Sequence, residues 1–168
     1  VLPGGLELVE QGADRLGWRV IPNLRNQVHC PGPDNSAFGC PTGAKQSLFN
    51  ACMTLFGPGD RVLIPSPAWV SYPQIVLLAR AEPVLVAGDL EWSLKVDVDA
   101  LNAAWDHRVA GLLLCSPVNP TGAVYSRAEI KAIVEWAREK NVWLIADEIY
   151  RRIHYGSGPA PSVFDLPD

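Results

Sequence analysis

The chain has 168 residues, of which 48% are hydrophobic and 19% are charged, a balance typical of one globular domain around a single core. The formal net charge is -4 and no Lys/Arg cluster occurs, which argues against a nucleic acid or an anionic membrane surface as a partner. No apolar run approaches the ~20 residues that a membrane-spanning helix requires, so small-molecule chemistry is favoured.

The first part of the chain differs in composition from the rest. GLELVEQGADRL is typical of one amphipathic helix, and WRVIP is typical of a short strand. The stretch CPGPDNSAFGCPTG that follows is rich in Pro, Gly and Asn and predicts an irregular loop. Composition shifts near Gly43, so we predict a boundary between residues 1–42 and residues 43–168.

After Gly43 the sequence predicts an α/β fold. A buried helix is expected at about residues 44–56, closed by GPGD, and SRAEIKAIVEWAREK predicts a second helix that begins with an S-x-x-E capping box. Short apolar runs predict strands at residues 61–64, 83–87, 110–116 and 142–146. Strands that alternate with helices indicate a mainly parallel sheet with flanking helices.

Polar and aromatic residues follow the predicted strands. Ligands of open parallel sheets bind beyond the carboxyl ends of the strands, where we expect Trp69, Asn119, Asp147 and Tyr150 to face one cleft. Gly43 precedes a helix whose first N–H groups favour an anion. Taken singly, each has a structural alternative: a core indole, a turn amide, a solvated strand end or a helix cap.

Together these groups match the requirements of pyridoxal 5'-phosphate. A carboxylate beside the pyridine nitrogen keeps it protonated and makes the ring an electron sink, which suits Asp147. Amide and phenol donors to the 3-oxygen suit Asn119 and Tyr150, and an indole on the ring face suits Trp69. The helix that starts after Gly43 suits the phosphate.

Residues 43–168 resemble the class I/II pyridoxal-phosphate aminotransferases of the aspartate aminotransferase type. The blocks that carry the resemblance are GAKQSLFNA, PGDRVLIPSPAWVSYP, SPVNPTGAVYS and LIADEIY. The resemblance implies a three-layer fold-type I large domain, a homodimer, and transfer of an amino group between an amino acid and a 2-oxo acid. It also implies that the backbone of Gly43, Ala44 and Lys45 holds the phosphate.

The Schiff-base lysine of that family follows the DEIY block and has no counterpart here, so no catalytic residue is assigned. The four lysines are predicted to lie elsewhere, three of them on solvated surface: Lys95, Lys131 and Lys140. Lys45 could reach the phosphate only. Because the chain begins with Val1 and its sole methionine is internal, we expect a fragment. Because the Schiff-base lysine is absent, we expect this fragment to be inactive alone.

The cysteines form no C-x-x-C pair and no zinc spacing with the histidines. We therefore predict no metal site, reduced thiols and a cytoplasmic location. The residues concerned are Cys30, Cys40, Cys52, Cys115, His29, His107 and His154.

Residues 1–47 resemble a segment of the glucose-methanol-choline (GMC) type flavin oxidoreductases. Both resemblances include GAKQS, which suggests a chimera joined at that point. No G-x-G-x-x-G motif for FAD is present in the segment. The chain could alternatively be a flavin-dependent oxidoreductase fragment or a non-catalytic fold remnant.

Overall fold

The computed structural model describes residues 19–20, 27–29 and 44–166. Within these ranges the chain forms six strands, four α-helices and one 3-10 helix at Val163–Asp165. The strands are β1 (Arg19–Val20), β2 (Gln27–His29), β3 (Arg61–Ser66), β4 (Glu82–Ala87), β5 (Val109–Cys115) and β6 (Trp143–Asp147). The helices are α1 (Ala44–Leu55), α2 (Ser71–Leu78), α3 (Val98–Ala104) and α4 (Arg127–Lys140).

The strands form one sheet in the order β1-β2-β6-β5-β3-β4. Among the strands that the structure describes, only the β1–β2 pair is antiparallel. The chain passes from β3 outward to β4 and then returns to the other side of β3 as β5. The direction of winding therefore reverses between β3 and β5, and this reversal opens a crevice at the carboxyl ends of the two strands.

Helices cover both faces of the sheet. Successive strand residues point to opposite sides, and apolar residues on both sides are buried under helices. Val62 and Ile64 of β3 pack in a cluster with α1 and α2, whereas Leu63 packs in a second cluster with α3 and α4. In β6, Ile145 belongs to the first cluster and Leu144 to the second. The result is a three-layer α/β domain, as the sequence predicts.

Helix α4 begins and ends at sequence signals. The Ser126 side chain accepts a hydrogen bond from the Glu129 backbone N–H, and the Glu129 carboxylate accepts one from the Ser126 backbone N–H, which completes the predicted capping box. Asn141 closes the helix in the left-handed conformation at φ 54°. The buried face includes Ile130, Ile133 and Val134, so the prediction of this helix is confirmed.

Helix α1 leads into β3 through a tight turn. The Gly57 N–H donates to Asp60 Oδ2 at 2.8 Å, and the Asp60 N–H donates to the Gly57 carbonyl at 3.1 Å. The Phe56 ring lies directly against Gly111 of β5, where a Cβ atom would be 2.3 Å from the ring. Gly111 therefore allows the end of α1 to sit close to the sheet.

The other predicted elements agree with the structure within two residues at most ends. Helix α1 and strands β3 to β6 are confirmed, and the strand predicted in WRVIP is confirmed at Arg19–Val20. Strand β2 and helices α2 and α3 were not predicted. The expected helix in GLELVEQGADRL and the loop at residues 30–43 lie outside the described residues. None of the described helices is long and apolar enough to cross a bilayer.

Candidate functional site

Asp147 is a buried carboxylate at the carboxyl end of β6. Its residue is 8% exposed, and both oxygens are hydrogen-bonded. The Tyr72 hydroxyl donates to Oδ2 at 2.7 Å, and the Ile149 backbone N–H donates to Oδ1 at 3.2 Å. An ionised carboxylate offers about four lone-pair positions, so Asp147 can accept a further donor.

Trp69 lies on the segment that follows β3 and is half-buried. Its ring meets the Tyr72 ring edge to face, with the centroids 5.4 Å apart and the planes at 88°. The Lys45 ammonium, in the first turn of α1, lies 5.0 Å from the Trp69 ring centroid. This contact brings the N-terminus of α1 to the indole, and Tyr72 connects the indole to Asp147.

Asn119 and Tyr150 form a second pair at the same end of the sheet. The Asn119 amide donates to the Tyr150 hydroxyl at 3.3 Å. Asn119 lies in the turn after β5, where Gly122 adopts φ 72° and donates its N–H to the Val118 carbonyl. The left-handed glycine permits the reversal that directs this turn back toward the sheet.

Cys115 lies between the two pairs. It is the last residue of β5 and stands opposite Asp147 in the parallel register. Its thiol is in hydrogen-bond reach of the Tyr72 hydroxyl and of the Asn119 backbone N–H. Burial raises the pKa of Cys115 above its usual range, so the thiol stays neutral in this position.

The residues that alternate with Asp147 and Tyr150 hold the C-terminal segment. The Glu148 carboxylate accepts from the Ser162 hydroxyl at 2.6 Å and from the Val163 N–H at 2.9 Å. Arg151 donates to Asp165 at 3.0 Å. Burial raises the pKa of Glu148. The contacts of Glu148 and Arg151 thus fix the backbone of the segment that carries Asp147 and Tyr150.

The structure brings together most of the site residues that the sequence suggests. Lys45 contacts Trp69, and Tyr72 connects Trp69 to Asp147. The Asn119–Tyr150 pair is linked to this group through Cys115. Ala44 is the first residue of α1. Gly43 lies outside the described residues.

Tyr72 is a contact of the site that the sequence analysis did not identify. A tyrosine inside PSPAWVSYP gave a weak signal, since its partner lies far away along the chain.

The lysines differ in part from the prediction. Lys95 is not solvated, because its ammonium lies 2.5 Å from Glu129 and over the Tyr125 ring. Lys140 is half-buried and lies over the Trp105 ring, whereas Lys131 is exposed as predicted. All three are engaged away from Asp147. Within the described part of the chain, no group of His, Cys, Asp and Glu is placed to hold a metal.

The arrangement fits a planar pyridine cofactor that carries a phosphate. Asp147 has acceptor capacity left for a ring N–H, and Trp69 offers a half-buried aromatic surface. The N-terminus of α1, with Lys45 in its first turn, provides positive potential for the anion.

Comparison with known proteins gives a consistent family. The model of "Aminotransferase class I and II" matches residues 34–167. Aspartate aminotransferase of Streptomyces avermitilis is 43% identical over 114 residues, which are 68% of this chain and 28% of that protein. The aspartate/prephenate aminotransferase of Cereibacter sphaeroides is 45% identical over 113 residues, covering 67% of this chain and 28% of that protein.

Solved structures share the fold. The aspartate aminotransferase of Rhizobium meliloti superposes with a TM-score of 0.68 at 41% identity, over 73% of this chain and 31% of that one. A structure described as Pyrococcus protein-A1 gives a TM-score of 0.71 at 26% identity, over 99% of this chain and 46% of that one.

The fold is therefore part of the large α/β domain of the fold-type I aminotransferases, with the candidate site at the carboxyl ends of its parallel strands. The chain belongs to the class I and II aminotransferase family. It spans about 28% of the length of the curated relatives named above.

Proposed function

We propose that this chain carries part of the pyridoxal-phosphate site of an aminotransferase that moves an amino group between an amino acid and a 2-oxo acid. The observation that carries the proposal is the buried Asp147 carboxylate. It is fixed at both oxygens at the end of β6, and Tyr72 connects it to the half-buried indole of Trp69. The aspartate aminotransferases among the relatives support this substrate class.

In this proposal each side chain has a defined task. Asp147 accepts the N–H of the pyridine ring and holds its proton, while Trp69 supports the ring face. Asn119 and Tyr150 donate hydrogen bonds to the 3-oxygen. When bound, pyridoxal phosphate supplies an electron sink for a carbanion at the substrate α-carbon. The parallel strands keep these groups in register.

The phosphate is assigned to the start of α1. The backbone at Gly43, Ala44 and Lys45 would donate to the phosphate oxygens, since the first N–H groups of a helix have no partner within the helix. The position of Lys45 beside Trp69 supports this assignment, because it places the helix end next to the ring site.

Titration with pyridoxal phosphate tests the proposal. Asp147→Asn keeps the size of the side chain and an acceptor for Tyr72 but removes the charge that favours a protonated ring nitrogen. We expect at least a tenfold loss of affinity, about 1.4 kcal/mol, by isothermal calorimetry. Asp99→Asn is the matched control, since Asp99 is exposed in the first turn of α3. Equal affinity for wild type and Asp147→Asn would contradict the proposed role.

We also infer that the 168-residue chain does not transaminate by itself. Lys95, Lys131 and Lys140 are held by ion pairs or aromatic rings away from Asp147, and Lys45 belongs to the proposed phosphate site. A full-length relative would act as a homodimer. We propose a cytoplasmic location, which the free, buried thiols of Cys52 and Cys115 support.

We further propose that residues 1–42 derive from a GMC-type flavin oxidoreductase, on the basis of the resemblance of residues 1–47 to that family. The aminotransferase family model begins at residue 34, so residues 34–42 match that family as well, and only residues 1–33 lie outside the match. Sequencing the source transcript across the codon for Gly43 tests the hypothesis. An uninterrupted natural transcript would exclude a joining artefact, whereas a transcript that diverges there would identify one.

A further inference from the structure

Tyr72 is a buried polar residue with a charged partner. Its side chain belongs to the cluster between α1, α2 and the sheet and is 2% exposed. Burial first, and then the neighbouring Asp147 charge, raise the pKa of Tyr72 far above its usual range. The phenol therefore keeps its proton and acts as the donor in the 2.7 Å bond to Asp147.

The bond acts together with a second contact on the same carboxylate. The Ile149 N–H holds Oδ1, while Tyr72 holds Oδ2. Rotation of the carboxylate about its Cβ–Cγ bond would break both hydrogen bonds, which gives the group one preferred plane. Backbone and side chain thus fix it from opposite ends.

Tyr72 also connects this carboxylate to the aromatic surface. Its ring stands at 88° to the Trp69 ring, and its hydroxyl reaches the neighbouring Cys115 thiol. Any displacement of Tyr72 would therefore alter the angle between Trp69 and Asp147. These are the two groups that define the plane and the nitrogen position of a bound pyridine.

We propose that Tyr72 is a positioning residue that orients the Asp147 carboxylate toward the ring nitrogen of the cofactor. The inference rests on the proposed function of this site. Tyr72 does not touch the cofactor itself; it acts through Asp147. A purely structural tyrosine would contribute packing alone.

Tyr125 is the matched control for such a packing role. It is equally buried, at 1% exposure, and its hydroxyl accepts a hydrogen bond from the Val96 N–H. It belongs to the cluster on the α3/α4 face of the sheet, opposite Tyr72. Removing its hydroxyl perturbs the core without touching Asp147.

The test compares two ligands that differ only at the ring nitrogen. Wild type, Tyr72→Phe and Tyr125→Phe are titrated with pyridoxal phosphate and with its 1-deaza analogue, in which carbon replaces that nitrogen. We expect Tyr72→Phe to weaken the binding of pyridoxal phosphate about tenfold, as for a lost hydrogen bond to a charged group. The affinity for the deaza analogue should stay within about twofold of the wild-type value. The loss should disappear in an Asp147→Ala background. Equal losses for both ligands would assign Tyr72 to packing and overturn the proposal.

A measurement on the ligand-free chain separates this inference from the proposed function. The side-chain carboxyl ¹³C resonance of Asp147, assigned with Asp147→Asn, should move in Tyr72→Phe and stay in place in Tyr125→Phe. If wild type binds neither ligand, the proposed cofactor site fails, and the resonance alone decides whether Tyr72 holds the carboxylate. An unmoved resonance in Tyr72→Phe overturns the inference in either case.

Discussion

Neighbouring residues in the DEIYR stretch make contacts in two different parts of the structure. Asp147 and Tyr150 face the candidate site, while Glu148 and Arg151 bind the segment that carries Ser162 and Asp165. The site residues are therefore supported by side chains only one position away. A change at Glu148 is expected to act on the site indirectly, through the path of this stretch.

The first prediction concerns the pH dependence of Glu148. Burial raises its pKa above the ordinary value of 4.5, with Arg151 opposing and Asp165 adding to the rise. The folded state then holds a proton that the unfolded chain has lost, so this contribution to stability is present below about pH 4.5 and is lost as pH rises through the folded pKa. In Glu148→Gln this loss is absent, and its Tm relative to wild type should rise with pH.

Thermal unfolding of both proteins from about pH 4 to about pH 7 checks this sign. Glu135→Gln is the control, since Glu135 is exposed on α4 and faces Lys131. If the Tm of Glu148→Gln minus that of wild type falls with increasing pH, burial is not the dominant cause of the pKa shift of Glu148.

The second prediction concerns the contact between Gly111 and Phe56. A Cβ at residue 111 would lie 2.3 Å from the ring, so Gly111→Ala forces α1 away from the sheet. Overpacking of this kind costs about 1–3 kcal/mol of unfolding free energy, measurable by urea denaturation. Phe56→Leu should recover part of the loss. Gly57→Ala, with nothing within 4 Å of the added atom, is the control and should change little.

At the scale of elements, local signals decided which parts of the fold could be predicted. Helix α4 carries a capping box and a regular apolar period, and strands β3 to β6 are continuous apolar runs of the kind that a sheet covered on both faces requires. Helix α2 was missed because SYPQIVLL contains a proline and an apolar run without a period. Helix α3 has only seven residues, although its N-cap Asp97 was a usable signal.

The candidate site divides in the same way. Trp69, Asn119, Asp147 and Tyr150 could be proposed because each lies at or shortly after the end of a strand, and parallel strands end at one edge. The hydrogen bond of Tyr72 could not be predicted from the sequence, because it depends on a tertiary contact with β6, which is distant along the chain. The three-residue β2 depends likewise on pairing with β6.

The third prediction tests the cap of α4. Ser126→Ala removes the side-chain acceptor for the Glu129 N–H and should lower the unfolding free energy by about 1 kcal/mol. Chemical denaturation provides the measurement. Ser157→Ala, at an exposed position, is the matched control. An unchanged free energy in Ser126→Ala would mean that packing of the buried face alone sustains this helix.

At the scale of the whole molecule, the winding reversal between β3 and β5 locates the site. Trp69 follows the first of these strands and Asn119 the second, while Asp147 ends the strand next to β5. Three separate strand ends thus supply groups to one crevice. Since the chain spans about 28% of the curated relatives named above, full catalysis is expected to need groups beyond it.

The fourth prediction concerns the lysines of this chain. Incubation of the 168-residue chain with pyridoxal phosphate and borohydride should give no stable adduct at the site, because Lys95, Lys131 and Lys140 are engaged away from Asp147 and Lys45 is assigned to the phosphate. Mass spectrometry after proteolysis checks each of the four positions. A stoichiometric adduct at Lys45, absent in Lys45→Arg, would contradict the assignment of that residue to the phosphate, and amino transfer to a 2-oxo acid would contradict the inferred inactivity.

The bond between Tyr72 and Asp147 joins residues 75 positions apart. During synthesis, the first partner emerges long before the second, and the pair can close only after β6 has left the ribosome and docked beside β5. A nascent chain arrested before β6 would already contain the indole and most of the first cluster, but not Ile145 and not the acidic partner of the phenol. The candidate site would therefore be completed late in biogenesis, only once the sheet has fully assembled.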